Sequence, residues 1–250
     1  VNPELDHADH YKRSANLRHF LYARENAHRD ISKVATKALL DRLRWFVERV
    51  VTAAELPTPP VFGWSGGKES AVLEYVLRPF GWRSVCVLTQ LELPISEKFI
   101  SRALPKNFTV ATTRHDVAWL KVNDEYLFPR EPEQINKWRK ITVFDTLEDY
   151  AKTFNAGMMI TGRRRTTGDK VPGIIAVGER QVKNFAPLLD LTTSEIWAMM
   201  RHFDLPEHPL YELAPSSLVR GTGGWPMLTS WETMRGVDRE FCAEMRTYFA

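Results

Sequence analysis

Apolar positions recur at helical spacing through the N-terminal part of the chain. Leu17, Phe20, Leu21 and Ala23 share one face, and Leu39, Leu40, Leu43, Phe46, Val47, Val50 and Val51 form a longer stripe flanked by Lys37, Asp41, Arg42, Arg44 and Glu48. This repeat predicts amphipathic helices over residues 1–56, stopped by Pro57, Pro59 and Pro60. The pattern then changes to short runs with apolar centres, Val61–Trp64, Arg83–Thr89, Phe108–Ala111 and Met158–Thr161, which predict strands buried on both faces. Helical patterns lie between and after them: Lys68–Phe80 (with Val72, Leu73, Val76 and Leu77 inward), Phe144–Phe154, Ser194–Phe203 and a last helix from about Ser230 to Tyr248. Thr192 or Thr193 is placed to cap the third of these, with Glu195 in its first turn.

Strands alternating with helices predict an α/β fold, a parallel twisted sheet flanked by helices. The expected organisation is an N-terminal helical extension over 1–56, an α/β core over 57–215, and a C-terminal tail and helix over 216–250. Segment 162–184, rich in Gly, Arg and Thr, reads as an active-site loop.

Composition narrows the function classes. Hydrophobic residues make up 44% and charged residues 26% of the 250, an ordinary globular balance that argues against fibrous or bulk-disordered character. The formal charge of +3 suits an anionic ligand but is too small to mark a nucleic-acid binder. Two cysteines, Cys86 and Cys242, supply neither a zinc spacing nor a disulfide framework, which fits a reducing compartment. Val1–Arg24 is polar, with no secretion-signal pattern, and no run approaches the ~18 apolar residues of a membrane span. A cytoplasmic protein without membrane partners is expected.

The most informative stretch is Val61-Phe62-Gly63-Trp64-Ser65-Gly66-Gly67-Lys68-Glu69-Ser70. An apolar strand enters a small-residue turn and passes directly into a helix. Glycines allow the sharp turn and remove side chains that would block an anion, and the unpaired N–H groups of the helix start face the same point. Lys68 adds charge; Ser65 and Ser70 add hydroxyls. The Walker A pattern is excluded, because Phe62 and Glu69 stand where it needs Gly and Ser or Thr.

Ser65-Gly66-Gly67-Lys68-Glu69-Ser70 resembles the S-G-G-x-D-S loop of the PP-loop ATP pyrophosphatases, which are adenine nucleotide α-hydrolase-like proteins with a Rossmann-like sheet. Two further segments are similar to the branch of PAPS reductase-like proteins. Met159-Ile160-Thr161-Gly162-Arg163-Arg164-Arg165-Thr166-Thr167 resembles its strand followed by G-x-R-R-x-x-S/T. Pro187-Leu188-Leu189-Asp190 through Trp197, then Leu205-Pro206 and His208-Pro209-Leu210-Tyr211, resembles its P-L-x-D … V-W … L-P-x-N-P-L-Y-D stretch. The likeness spans about residues 58–215. It implies ATP and Mg²⁺ as cofactors. The nucleotide would be bound by Phe62, Gly63, Trp64, Ser65, Gly66, Gly67, Lys68, Ser70, Thr89, Gln90 and Gly162, with Gly66, Gly67 and the loop N–H groups on the β,γ-pyrophosphate. Lys68, Glu69, Arg163, Arg164 and Arg165 would be the catalytic groups, Glu69 also the magnesium ligand, and the arginines would stabilise charge on phosphate oxygens.

The chain departs from that pattern in three places. Glu69 replaces the usual Asp. Leu88-Thr89-Gln90-Leu91-Glu92-Leu93-Pro94 keeps the Thr and Pro of the family's Asp-Thr-Gly-aromatic-Pro segment but loses its Asp and Gly. The reductases' nucleophilic cysteine has no counterpart: Cys242 falls inside an amphipathic helical pattern and Cys86 inside a strand, so both read as structural. What remains is α-phosphate chemistry on ATP. Of the proteins without that cysteine, the resemblance is greatest to the ATP pyrophosphatase component of DNA phosphorothioation systems. This implies DNA, a cysteine desulfurase or other modification proteins as partners, and a homo-oligomer as one assembly. Lys12, Arg13, Arg18, Arg24, Arg29 and the Trp138-Arg139-Lys140 cluster are the basic groups available for such contacts, or else solvated helix faces. A sulfate-adenylating ATP sulfurylase small subunit and a non-catalytic nucleotide sensor remain alternatives. His115, Asp116 and Asp190 are candidate bases, with a cap or loop role as the simpler reading for each.

Overall fold

A computed structural model describes residues 3–113, 115–129, 131–164, 174–177, 180–213 and 230–250. The Arg165 and Thr166-Thr167 part of the arginine segment and all of 214–229 lie outside the described residues. Two helices come first, α1 (Pro3–Asp30) and α2 (Lys33–Ala53), with Ser32 accepting a hydrogen bond from the Ala35 N–H to start the second. The core follows as β1 (Val61–Gly63), α3 (Lys68–Leu77), β2 (Arg83–Leu88), α4 (Pro94–Ala103), β3 (Phe108–Thr112), α5 (Val117–Val122), α6 (Pro132–Arg139), α7 (Asp145–Thr153) and β4 (Met158–Ile160). The remaining elements are β5 (Ile174–Val177), β6 (Arg180–Phe185), α8 (Thr193–His202), α9 (Leu210–Leu213), α10 (Trp231–Val237) and α11 (Arg239–Phe249).

The strands form one sheet in the order β3-β2-β1-β4-β6-β5. Five are parallel; β5 joins the edge antiparallel to β6. The side-chain alternation of the central strands divides the core as a two-sided sheet requires. Phe62, Cys86, Met158 and Ile160 pack with α1, α2, α3 and α8, whereas Val61, Val85 and Met159 pack with Tyr150 and Ala151 of α7. Ala23 and Ala27 of α1 and Leu40, Leu43 and Val47 of α2 belong to the first of these clusters. A third cluster joins Leu91, Leu93, Leu120, Trp138, Met234 and Cys242 beyond the sheet edge.

Several sequence expectations change. The segment read as a loop over 162–184 contains β5 and β6; its Gly, Arg and Thr content hid two strands. Helix α4, opened by Pro94 in its first turn, adds an element between the second and third strands that was not among those expected. The single helix expected over 230–248 is two. Asp238 takes an extended conformation and its carboxylate accepts from the Phe241 N–H at 3.0 Å, capping a new helix. Trp138 is buried in the third cluster, so it is not a surface aromatic for DNA.

Candidate functional site

In this strand order β1 has β2 on one side and β4 on the other, and chain connections run away from it in both directions. Such a reversal leaves a crevice outside the carboxyl ends of the strands, where open α/β sheets bind ligands. The loop after β1 and the segment after β4 both open there. Gly66 has φ +72°, a left-handed conformation that only glycine adopts without strain, and Gly67 caps α3 with no side chain. The Ser70 hydroxyl donates to the Gly67 carbonyl at 2.8 Å and accepts from the Ser65 N–H at 3.1 Å, with the Ser65 hydroxyl 3.3 Å away. The turn is therefore braced internally by both serines. Gly162 is fixed by contact: a Cβ there would lie 3.1 Å from the Glu69 backbone, so β4 reaches the first turn of α3 only with glycine.

The charged groups meet around one carboxylate oxygen. Glu69 Oε1 lies 2.9 Å from Lys68 Nζ and 2.9 Å from Arg164 Nη2, and also accepts from Arg164 Nε at 3.1 Å. Arg164 is 4% exposed, and its other nitrogen donates to the Leu191 carbonyl at 3.2 Å and to Thr193 Oγ1 at 3.3 Å, linking the site to the start of α8. Burial alone would raise the Glu69 pKa, but Lys68 and Arg164 together outweigh it and hold the carboxyl below its ordinary range. Lys68, 5% exposed, has its ammonium 5.4 Å from the ring centres of both Phe20 and Tyr211, a cation–π arrangement. Its backbone N–H donates to the Tyr211 hydroxyl at 2.9 Å.

The structure thus brings together Ser65, Gly66, Gly67, Lys68, Glu69, Ser70, Gly162 and Arg164. Arg163 follows β4 beside them, half-buried; Arg165 lies outside the described residues. The Phe62 and Trp64 side chains belong to the core, and the Trp64 N–H is already bonded to the Val85 carbonyl, so neither aromatic ring lines the crevice. Gly63 has open space around its Cα. Thr89, at the end of β2, donates from both N–H and hydroxyl to Glu92 Oε1, at 3.3 and 3.1 Å, a local turn. Gln90 is exposed, its amide 3.4 Å from the Thr113 carbonyl. Asp116 caps α5 by accepting from the Trp119 N–H at 2.7 Å, which makes it structural. Cys86 is fully buried, burial pushing its thiol up to about 12, and Cys242 donates to the Trp231 carbonyl at 3.3 Å.

Three groups escaped the sequence reading. Tyr211 and His208 were legible only as a proline-fixed chain exit, yet Tyr211 holds the first N–H of α3 and the His208 ring lies against Gly66. Phe20, visible as part of a helix face, covers Lys68. The hydroxyls of Thr113 and Thr161, after β3 and β4, are buried with no partner, as is His208 Nε2. Orphaned polar atoms at the carboxyl ends of strands are what a polar ligand would satisfy.

The chain is similar to known proteins in sequence and in fold. A phosphoadenosine 5'-phosphosulfate reductase of Xylella fastidiosa (strain 9a5c) is 26% identical over 178 residues, covering 69% of this chain and 73% of that protein. One from Aliivibrio fischeri (strain MJ11) is 26% identical over 204 residues, covering 77% and 81%. Two crystal structures share the fold. A phosphoadenylyl-sulfate reductase from Candida auris, in a phosphate complex, has a TM-score of 0.53 at 12% identity, covering 77% of this chain and 96% of that one. Candida glabrata FMN adenylyltransferase, with FAD and inorganic pyrophosphate, has a TM-score of 0.51 at 15% identity, covering 83% and 71%. The phosphoadenosine phosphosulfate reductase domain model matches residues 59–227, and the chain accordingly belongs to that nucleotide-binding family.

Proposed function

We propose that this member of the family is an ATP pyrophosphatase that activates an acceptor by adenylation. The observation that carries the reading is the convergence of Lys68 and Arg164, each 2.9 Å from Glu69 Oε1, beside a glycine turn at the start of α3, with both cysteines held in packed cores. Cationic groups fixed beside helix-start N–H groups suit a pyrophosphate that gains charge as it leaves. An acceptor oxygen attacks the α-phosphorus, the bond from that phosphorus to the bridging oxygen breaks, and pyrophosphate departs. The acceptor keeps AMP; an anionic phosphate oxygen attacks without a proton to lose, whereas a hydroxyl acceptor would release its proton to solvent. The thiol-based reaction of a reductase finds no nucleophile in Cys86 or Cys242.

For the acceptor we keep the DNA backbone, activated for sulfur delivered by a cysteine desulfurase partner, on the strength of the sequence resemblance. Arg24 contributes little to DNA binding, because it pairs with Glu207, while Arg18 and Arg29 are exposed. Magnesium would arrive on the nucleotide's own phosphates. Glu69 Oε1 is committed to two cations, and the described residues contain no cluster of three His, Cys, Asp or Glu that could hold a metal ion. No helix among the described residues is long and apolar enough to cross a membrane. A second reading, a nucleotide sensor without turnover, is favoured by the same Glu69, whose single carboxylate pairs with Lys68 and Arg164 and offsets one of their two charges.

The test is pyrophosphate release from ATP and Mg²⁺, with the protein alone, with sulfate, with duplex DNA, and with Lys68→Ala as control. Release lost in the variant supports the proposal, and the stimulating additive identifies the acceptor class. Orthophosphate and ADP as products would overturn it; tight ATP binding without turnover would favour the sensor.

A further inference from the structure

We infer that His208 is a neutral hydrogen-bond donor to a phosphate oxygen of the bound nucleotide, an inference that rests on reading Ser65–Ser70 as the pyrophosphate cradle. The His208 ring is 2% exposed. Its Nδ1 accepts the Leu210 N–H at 3.2 Å, which places the remaining proton of a neutral imidazole on Nε2. That Nε2–H is shut away from water and has no hydrogen-bond partner among the described residues. A buried donor without an acceptor costs stability, and persists where a ligand supplies the acceptor.

The position of the ring says which ligand. A Cβ built on Gly66 would lie 3.5 Å from His208 Cδ2, the ring carbon bonded to Nε2, and 3.2 Å from Phe99 Cε1. The free edge of the imidazole therefore borders the left-handed glycine at the centre of the cradle. Phe99 packs on the ring's other side, with centroids 4.6 Å apart. Flanking residues fix the ring from both directions: Glu207 pairs with Arg24 of α1 and Arg201 of α8, and the Tyr211 hydroxyl accepts the Lys68 N–H. Burial keeps the imidazole neutral by pushing its pKa down to about 4. Around an anion already faced by Lys68 and Arg164, a neutral donor adds direction without adding net charge, which limits how tightly released pyrophosphate is retained.

Isothermal titration calorimetry with inorganic pyrophosphate, using the full chain, tests this. His208→Phe keeps the ring's bulk and removes the donor; it should weaken pyrophosphate binding about tenfold, the scale of one hydrogen bond to a charged group. His208→Asn restores an N–H and should return affinity to within about threefold of wild type. In the wild-type protein with ¹⁵N-labelled histidine, the Nε2–H proton resonance should move downfield on adding pyrophosphate. Unchanged affinity in folded His208→Phe, with Lys68→Ala still weakened, would overturn the histidine's role and leave the cradle standing. Asn failing to rescue, or no shift of the Nε2–H resonance, would overturn it too. Wild-type protein that binds neither pyrophosphate nor ATP would overturn the cradle reading itself, and this inference with it.

Discussion

Replacing Arg164 by methionine isolates the electrostatic centre of the site. The guanidinium makes two bonds to Glu69 Oε1, one to the Leu191 carbonyl and one to Thr193 Oγ1, at 4% exposure. Methionine fills much of the same space and leaves all four unmade. Removing one member of a buried ion pair costs about 3–5 kcal/mol because the partner charge is stranded. Here Lys68 still faces Glu69 at 2.9 Å, and the glutamate side chain is 19% exposed. Screening and the remaining pair bring the expectation down to about 2–4 kcal/mol. For a chain of this size that is a fall of about 5–12 °C in melting temperature. Urea unfolding of wild type, Arg164→Met, Glu69→Gln and the double variant would measure both the loss and the coupling. The double variant should lose at least ~1 kcal/mol less than the sum of the single losses, because the stranded carboxylate is gone. A melting temperature within a degree of wild type, or additive losses, would refute the claim that these two side chains act as one unit.

Three further outcomes follow from the same geometry. Folded His208 stays neutral down to about 4 whereas the unfolded residue takes its proton near 6.5, so the unfolded state binds more protons in that window. Its contribution is therefore intact above pH 6.5 and stability falls by up to about 3 kcal/mol as pH drops toward 4, a slope that urea titrations should find reduced in His208→Asn. Gly162→Ala places a methyl 3.1 Å from the Glu69 backbone and should cost about 1–3 kcal/mol with loss of ATP binding; normal affinity by calorimetry would show that the loop yields. Neither Cys86 nor Cys242 should react with a thiol reagent at pH 8 until denaturant is added, and rapid labelling of the native protein would contradict the burial of both.

The sheet and its cradle were legible because their signals are local. Strands buried on both faces show as apolar runs, and a glycine turn between strand and helix needs no knowledge of the rest of the chain. Thr192 was named as one of two caps, and the structure shows it in a reciprocal box with Glu195. What the sequence hid was convergence. Nothing at position 211 announces that a tyrosine hydroxyl will sit on the N–H of residue 68, or that the histidine three places earlier will border Gly66. Glu69 was legible as an unusual carboxylate, but its capture by Arg164 depends on β4 arriving beside α3, which Gly162 permits only in three dimensions. The last helix was misread for a different reason: an amphipathic stripe continues through Asp238, and a cap inside a stripe is invisible to periodicity.

The family match begins at residue 59, yet one of the two aromatic rings over the loop lysine belongs to Phe20, and one of the two arginines holding Glu207 is Arg24. Half of the cover over Lys68 therefore comes from a stretch outside the matched domain, and half from Tyr211 within it. A protein trimmed to the matched region would keep every recognisable motif and still have a wetter mouth to its crevice. Relatives with the same loop but a different leading helix would in turn hold their anions under different screening, so divergence in ligand preference within the fold has a physical route that leaves the motifs untouched.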